Sequence, residues 1–115
     1  MQIDLKGRNV PVTDELREHV DKRFRKVGRQ VSELARLEIE VSHERNPSIA
    51  AAEIAEVTLY LKGVTLRAHD ADRDLKHAIN MCEEELSRQV KRHRDKRRKR
   101  RESRAAAGRG ISTAT

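Results

Sequence analysis

Apolar and polar positions along the chain follow two different periods, and the changes between them mark six elements. Gln2-Ile3-Asp4-Leu5-Lys6 alternates, which predicts a short half-buried strand ended by Gly7. Leu16, Val20, Phe24 and Val27 recur every three or four residues, the period of a helix with one buried face. Thr13 stands ahead of them as N-cap, Asp14 and Glu15 occupy the first turn, and Gly28 is a stop signal, so the first helix is predicted from about Asp14 to Val27. Leu37, Ile39 and Val41 then alternate with Glu38, Glu40 and Ser42, a strand with one dry face and one acidic face. After the turn chemistry of Arg45-Asn46-Pro47-Ser48, a third strand alternates Ala55, Val57, Leu59 and Leu61 with Glu56, Thr58, Tyr60 and Lys62. Lys62-Gly63 turns it into a fourth, carrying Val64, Leu66 and Ala68. Asp70 or Asp72 is expected to cap a last helix, striped by Leu75, Ala78, Ile79, Cys82, Leu86 and Val90.

The order strand, helix, strand, strand, strand, helix predicts an α+β fold. A right-handed crossover makes the first two strands parallel, and the hairpins continue antiparallel. Each strand has one apolar face and each helix one stripe, so both helices must cover the same side of a four-stranded sheet, as in double-stranded-RNA-binding domains. The opposite side is expected to keep Glu38, Glu40, Glu53 and Glu56 in water. With 115 residues the chain holds one domain and a tail. The division is placed at residues 1–96 for the folded domain and 97–115 for a basic, disordered tail or linker.

Charge changes the picture more than composition does. Up to Ser87 there are 14 Lys and Arg against 17 Asp and Glu; from Arg88 to Arg104 there are 11 against 2. Positive charge gathered at one end of a near-neutral body points to a polyanion, and counterion release makes nucleic acid the commonest such partner. Lys22, Arg25, Lys26 and Arg29 share the side of the first helix away from its stripe, with Arg23 at the edge. Lys76, Arg88, Lys91, Arg92 and Arg94 come from the second helix on the same side of the sheet, and Lys96, Arg97 and Arg98 carry the surface into the tail. Phe24 and Tyr60 are the only aromatics. Single-strand binders stack bases on several aromatics, so this surface is expected to read phosphates and shape rather than base identity.

Other chemistry finds little support. Asp70-Ala71-Asp72-Arg73-Asp74 has calcium-loop spacing, but Leu75 stands where the loop needs glycine and Met81 where it needs glutamate. His19, His43, His69, His77 and His93 lie on separate elements without ligand spacing. No nucleophile has a recognisable partner, so neither an enzyme nor a cofactor is expected. Cys82, alone and on an apolar stripe, reads as a small buried hydrophobe. Without a signal peptide, a membrane span or a second cysteine, the chain is expected in the cytoplasm, with no membrane partner and no small-molecule substrate.

Two segments carry a family resemblance. Met1-Gln2-Ile3 through Gly7-Arg8-Asn9-Val10, followed by Thr13-Asp14-Glu15-Leu16-Arg17-Glu18-His19-Val20, resembles the first strand and helix of the hibernation promoting factors, or ribosome-associated translation inhibitors. Leu86-Ser87-Arg88-Gln89-Val90-Lys91-Arg92-His93-Arg94-Asp95-Lys96 is similar to their second-helix signature. The resemblance implies a small domain seated in the decoding region of the small ribosomal subunit, on its rRNA, across the paths of messenger and transfer RNA. By the same resemblance it is expected to block initiation there and to store idle ribosomes. It also implies rRNA contacts for Arg23, Lys26, Arg88, Arg92, Arg94 and Lys96. Asp74-Leu75-Lys76-His77-Ala78 departs from the family, which usually has tyrosine where Lys76 stands, and Lys76 is expected to substitute a phosphate contact. Long members append a dimerising domain that pairs ribosomes; pairing is expected here only if such a domain follows in a longer chain. A structural ribosomal protein and a general binder of structured or double-stranded RNA remain as alternatives.

Overall fold

A computed structural model describes residues 1–114, with side chains through Ala105. Its elements are β1 (Gln2–Arg8), α1 (Asp14–Gln30), β2 (Arg36–His43), β3 (Glu53–Leu61), β4 (Val64–Asp72) and α2 (Leu75–Ala114). The strands stand in the order β1-β2-β3-β4, with β1 parallel to β2 and the other pairs antiparallel. This is the predicted α+β arrangement.

Register explains the core. Ile3 pairs with Leu37, Leu37 with Leu59 and Leu59 with Leu66; one step along, Leu5, Ile39, Val57 and Ala68 line up in the same way. Successive residues of a strand point to opposite faces, so these rows build one apolar surface. Leu16, Val20, Phe24 and Val27 of α1 and Ala78, Ile79, Cys82, Leu86 and Val90 of α2 are buried in a single cluster with it. Both helices therefore cover one face of the sheet, and Phe24, Leu59, Ile79 and Leu86 are fully enclosed. Each such side chain contributes about 1.5–3 kcal/mol of hydrophobic stabilisation.

Several local expectations are corrected. Gly7 does not end β1, which runs to Arg8; a Cβ at Gly7 would lie 2.2 Å from the Val10 carbonyl oxygen, because the chain folds back over it. Asn9 makes that reversal with φ 61°, its side chain accepting from Arg45 at 2.7 Å. Gly28 does not stop α1, which continues to Gln30; burial of Val27 and the side chain of Met1 laid over Gly28 hold the extra turn. The Thr13 hydroxyl caps α1 as predicted, accepting from the Leu16 amide at 3.1 Å. At α2 the cap is neither Asp70 nor Asp72 but Asp74, whose carboxylate accepts from the Lys76 amide at 3.1 Å; Asp72 closes β4 and accepts from the Asp74 amide.

The open face also differs from expectation. Glu53 has the parity of Ala55, so it lies on the helix-covered side, where it meets His43 at 2.6 Å. Glu38, Glu40 and Glu56 do face outward, but each has a base beside it. Arg36 meets Glu38 at 2.9 Å, Arg8 meets Glu40 at 3.0 Å and His69 meets Glu56 at 3.6 Å. This face is a mixed, paired surface and not an acidic one.

Candidate nucleic-acid interface

Three contacts across the helix pair define how α1 and α2 meet. Glu15 bonds Lys76, His19 Nε2 lies 2.9 Å from Asn80 Oδ1, and Arg23 Nη2 donates to Glu84 at 3.2 Å. Every pair is separated by 61 residues. A constant offset means that the helices run side by side in the same direction, turn against turn. Arg23 also reaches Glu83 at 3.8 Å, a carboxylate that is nearly buried. The Lys76 contact holds the Glu15 carboxyl below its ordinary range and raises the Lys76 ammonium above its own.

Carried forward by the same offset, the seam loses its acids. Lys26 falls beside Ser87 and Gln30 beside Lys91, and α1 then ends. Here the helices part into an open cleft of about 680 Å³. Lys26, Arg88, Lys91 and Arg94 line its floor and walls, and Arg97, Arg98 and Arg101 continue it along α2. The single carboxylate among the lining residues is Asp95, 3.6 Å from Arg98. Val90 is the last buried residue of α2 among those described, so beyond it the helix stands off the body as a cationic arm. Like charges this close repel unless an external anion sits between them. The cleft is a ready site for a chain of phosphates.

The predicted residues divide into three groups. Lys26, Arg88, Lys91, Arg94, Arg97 and Arg98 converge on the cleft. Arg23 and Lys76 are instead occupied by glutamates of the seam, where they fasten helix to helix. Lys22, Arg29, Arg92 and Lys96 are exposed cations that do not line the cleft. Arg101, Gln30 and Ser87 line it without having been predicted. The spacing Arg94, Arg98, Arg101 is a helical i, i+4, i+7 row and was the signal available for Arg101. Cys82 is buried, its thiol 3.3 Å from the Ala55 carbonyl oxygen, and burial pushes its pKa up to about 12. No helix among the described residues is long and apolar enough to cross a membrane.

The fold recurs in known proteins. Residues 3–98 match the family model described as Sigma 54 modulation protein / S30EA ribosomal protein. A ribosome hibernation promotion factor of Lactococcus lactis subsp. cremoris is 32% identical over 98 residues, covering 82% of this chain and 50% of that protein. The ribosome hibernation promoting factor of Salmonella typhimurium is 29% identical over 96 residues, covering 84% of this chain and 96% of that protein. The chain thus spans about half the length of the Lactococcus relative, as it does of one from Picosynechococcus. Among solved structures, the N-terminal domain of Thermus thermophilus Protein Y superposes with a TM-score of 0.69 at 31% identity, covering 81% of this chain and 99% of that one. A ribosomal subunit interface protein from Coxiella burnetii shares the fold, with a TM-score of 0.70 at 18% identity.

Proposed function

The chain belongs to the Sigma 54 modulation protein / S30EA ribosomal protein family, and on that premise we propose that it is a ribosome-binding hibernation factor. Its helix face docks on the rRNA of the small subunit, within the channel for messenger and transfer RNA. Occupying that channel inhibits translation and preserves idle ribosomes. The action is steric and electrostatic, with no bond made or broken. The names of the relatives support ribosome hibernation. The observation that carries the docking face is the α1–α2 seam, fully paired from Glu15 to Arg23 and then opening into cations with almost no internal partner. Arg92, Lys96, Lys22 and Arg29 form the outer rim of the same surface. Arg97, Arg98 and Arg101 carry the same surface outward along α2 as a cationic arm.

Co-sedimentation tests this reading. The wild-type chain should pellet with purified small subunits, and in cells it should be enriched in ribosome pellets from resting over growing cultures. A variant with Arg88→Glu, Lys91→Glu and Arg94→Glu should stay in the supernatant. Binding of that variant at wild-type strength would reject the helix face.

A further inference from the structure

A second groove lies on the other flank of the arm, where α2 leaves the body. Its apolar part comes from Val31, Leu34 and Ala35 after α1, Leu61 at the end of β3, and Val90 and His93 of α2. It encloses about 600 Å³, and Lys62, Arg94 and Arg97 stand at its rim. No carboxylate lines it among the described residues. Leu34 stands on its lip, 94% exposed. Tyr60 borders the groove at the end of β3, its side chain on the open face of the sheet. The Arg36 guanidinium lies 4.8 Å from its ring centroid, and its hydroxyl donates to Glu38 at 3.1 Å.

We infer that this groove is a base-docking subsite, which takes an unstacked nucleobase of the same RNA strand whose phosphates occupy the cationic cleft. The inference rests on the reading that the cleft binds rRNA. What joins the two sites is shared lining: Gln30, Arg94 and Arg97 border both. A strand with phosphates on Arg94 and Arg97 has its next base within reach of the apolar floor. The groove combines an apolar interior with a cationic rim, the complement of a nucleotide's flat ring and its charged linkage. An acidic peptide with an apolar side chain has related chemistry, but the shared Gln30, Arg94 and Arg97 make the groove continuous with the cationic cleft, which favours a nucleotide of the strand lying there. The subsite adds base contact to a surface that otherwise reads only phosphates.

Two measurements test it on the intact chain and purified small subunits. Leu34→Ala with His93→Ala should weaken binding by roughly 5- to 20-fold, near the lower end for loss of one docked base. The salt dependence should stay as in the wild type, because no phosphate contact is removed. A thermal melt matching the wild type confirms that the fold is intact. In parallel, a benzophenone photo-crosslinker introduced at position 34 should capture rRNA. Wild-type affinity in the double variant, a reduced salt slope, or capture of a ribosomal protein in place of rRNA would each overturn the subsite while leaving the cleft standing. Failure of the wild-type chain to bind subunits would instead remove the functional reading and the subsite with it.

Discussion

Salt dependence gives the cleft a measurable number. Seven cations line it, and Arg98 is partly satisfied by Asp95, which leaves six for phosphates. Each phosphate contact contributes about 0.7–0.9 to the slope of log K against log salt, so six predict a slope of about −4 to −5. Between 50 and 200 mM salt the wild-type chain should then lose affinity for small subunits by about a thousandfold. Replacing Arg88, Lys91 and Arg94 by glutamine keeps the side chains polar and removes half of these charges. The slope should become shallower by about 2–3, and the loss over the same interval should shrink to about 30-fold. The assay is a titration of fluorescently labelled protein on purified subunits across a potassium series at constant magnesium. A matching triple replacement on the open sheet face, Lys6→Gln, Arg8→Gln and Arg67→Gln, serves as the contrast, since Arg8 is already paired with Glu40. If the sheet variant lowers the slope and the cleft variant does not, the docking face has been assigned to the wrong side of the molecule.

Three further outcomes separate structural from functional residues. Arg23→Ala should destabilise the fold by about 1–2 kcal/mol in urea, because the nearly buried Glu83 loses its cation, while the salt slope of subunit binding stays unchanged. Gly28→Ala should stabilise by about 0.5–1 kcal/mol in the same assay, since Gly28 is helical and its added Cβ would come no closer than 3.4 Å to Met1. Cys82, with its pKa pushed to about 12, should resist a disulfide reagent at pH 8 in the folded chain and react at once in denaturant.

The order of elements was legible in the sequence because the two periods change cleanly between strands and helices. Phe24, Ile79 and Leu86 could be assigned to the core from spacing alone. The glycines were misread because a glycine's meaning depends on what approaches it. Gly7 serves a chain reversal that brings in the Val10 carbonyl, and Gly28 lies under Met1. The open face looked acidic because β2 and β3 were read separately. Arg8 and His69 come from the flanking strands, and only the register sets them beside Glu40 and Glu56. The site suffered from the same gap. Positive charge marks Arg23 and Lys76 as well as it marks Arg88, and only the helix offset shows that glutamates already occupy the first two. The run Glu83-Glu84-Glu85 beside a buried stripe was the clue that some cations would be answered internally.

That offset also explains why the cleft stays open. The seam is a repeating device: residues of α1 meet residues of α2 that lie 61 further along, and three such pairs close it. An acid at position 87 would make a fourth pair, with Lys26, by the same geometry. Ser87 stands there instead, so the chain forgoes a contact worth up to about 1 kcal/mol. Ser87→Glu should therefore raise the urea midpoint slightly. It should also weaken subunit binding, since it neutralises Lys26 and sets a carboxylate where a phosphate would lie. Opposite movement of the two quantities is the signature of a site kept unpaired at the expense of stability. If Ser87→Glu raised stability and left binding untouched, the gap in the seam would have no functional meaning. The cationic surface would then have to lie further out, on Arg92, Lys96 and the arm.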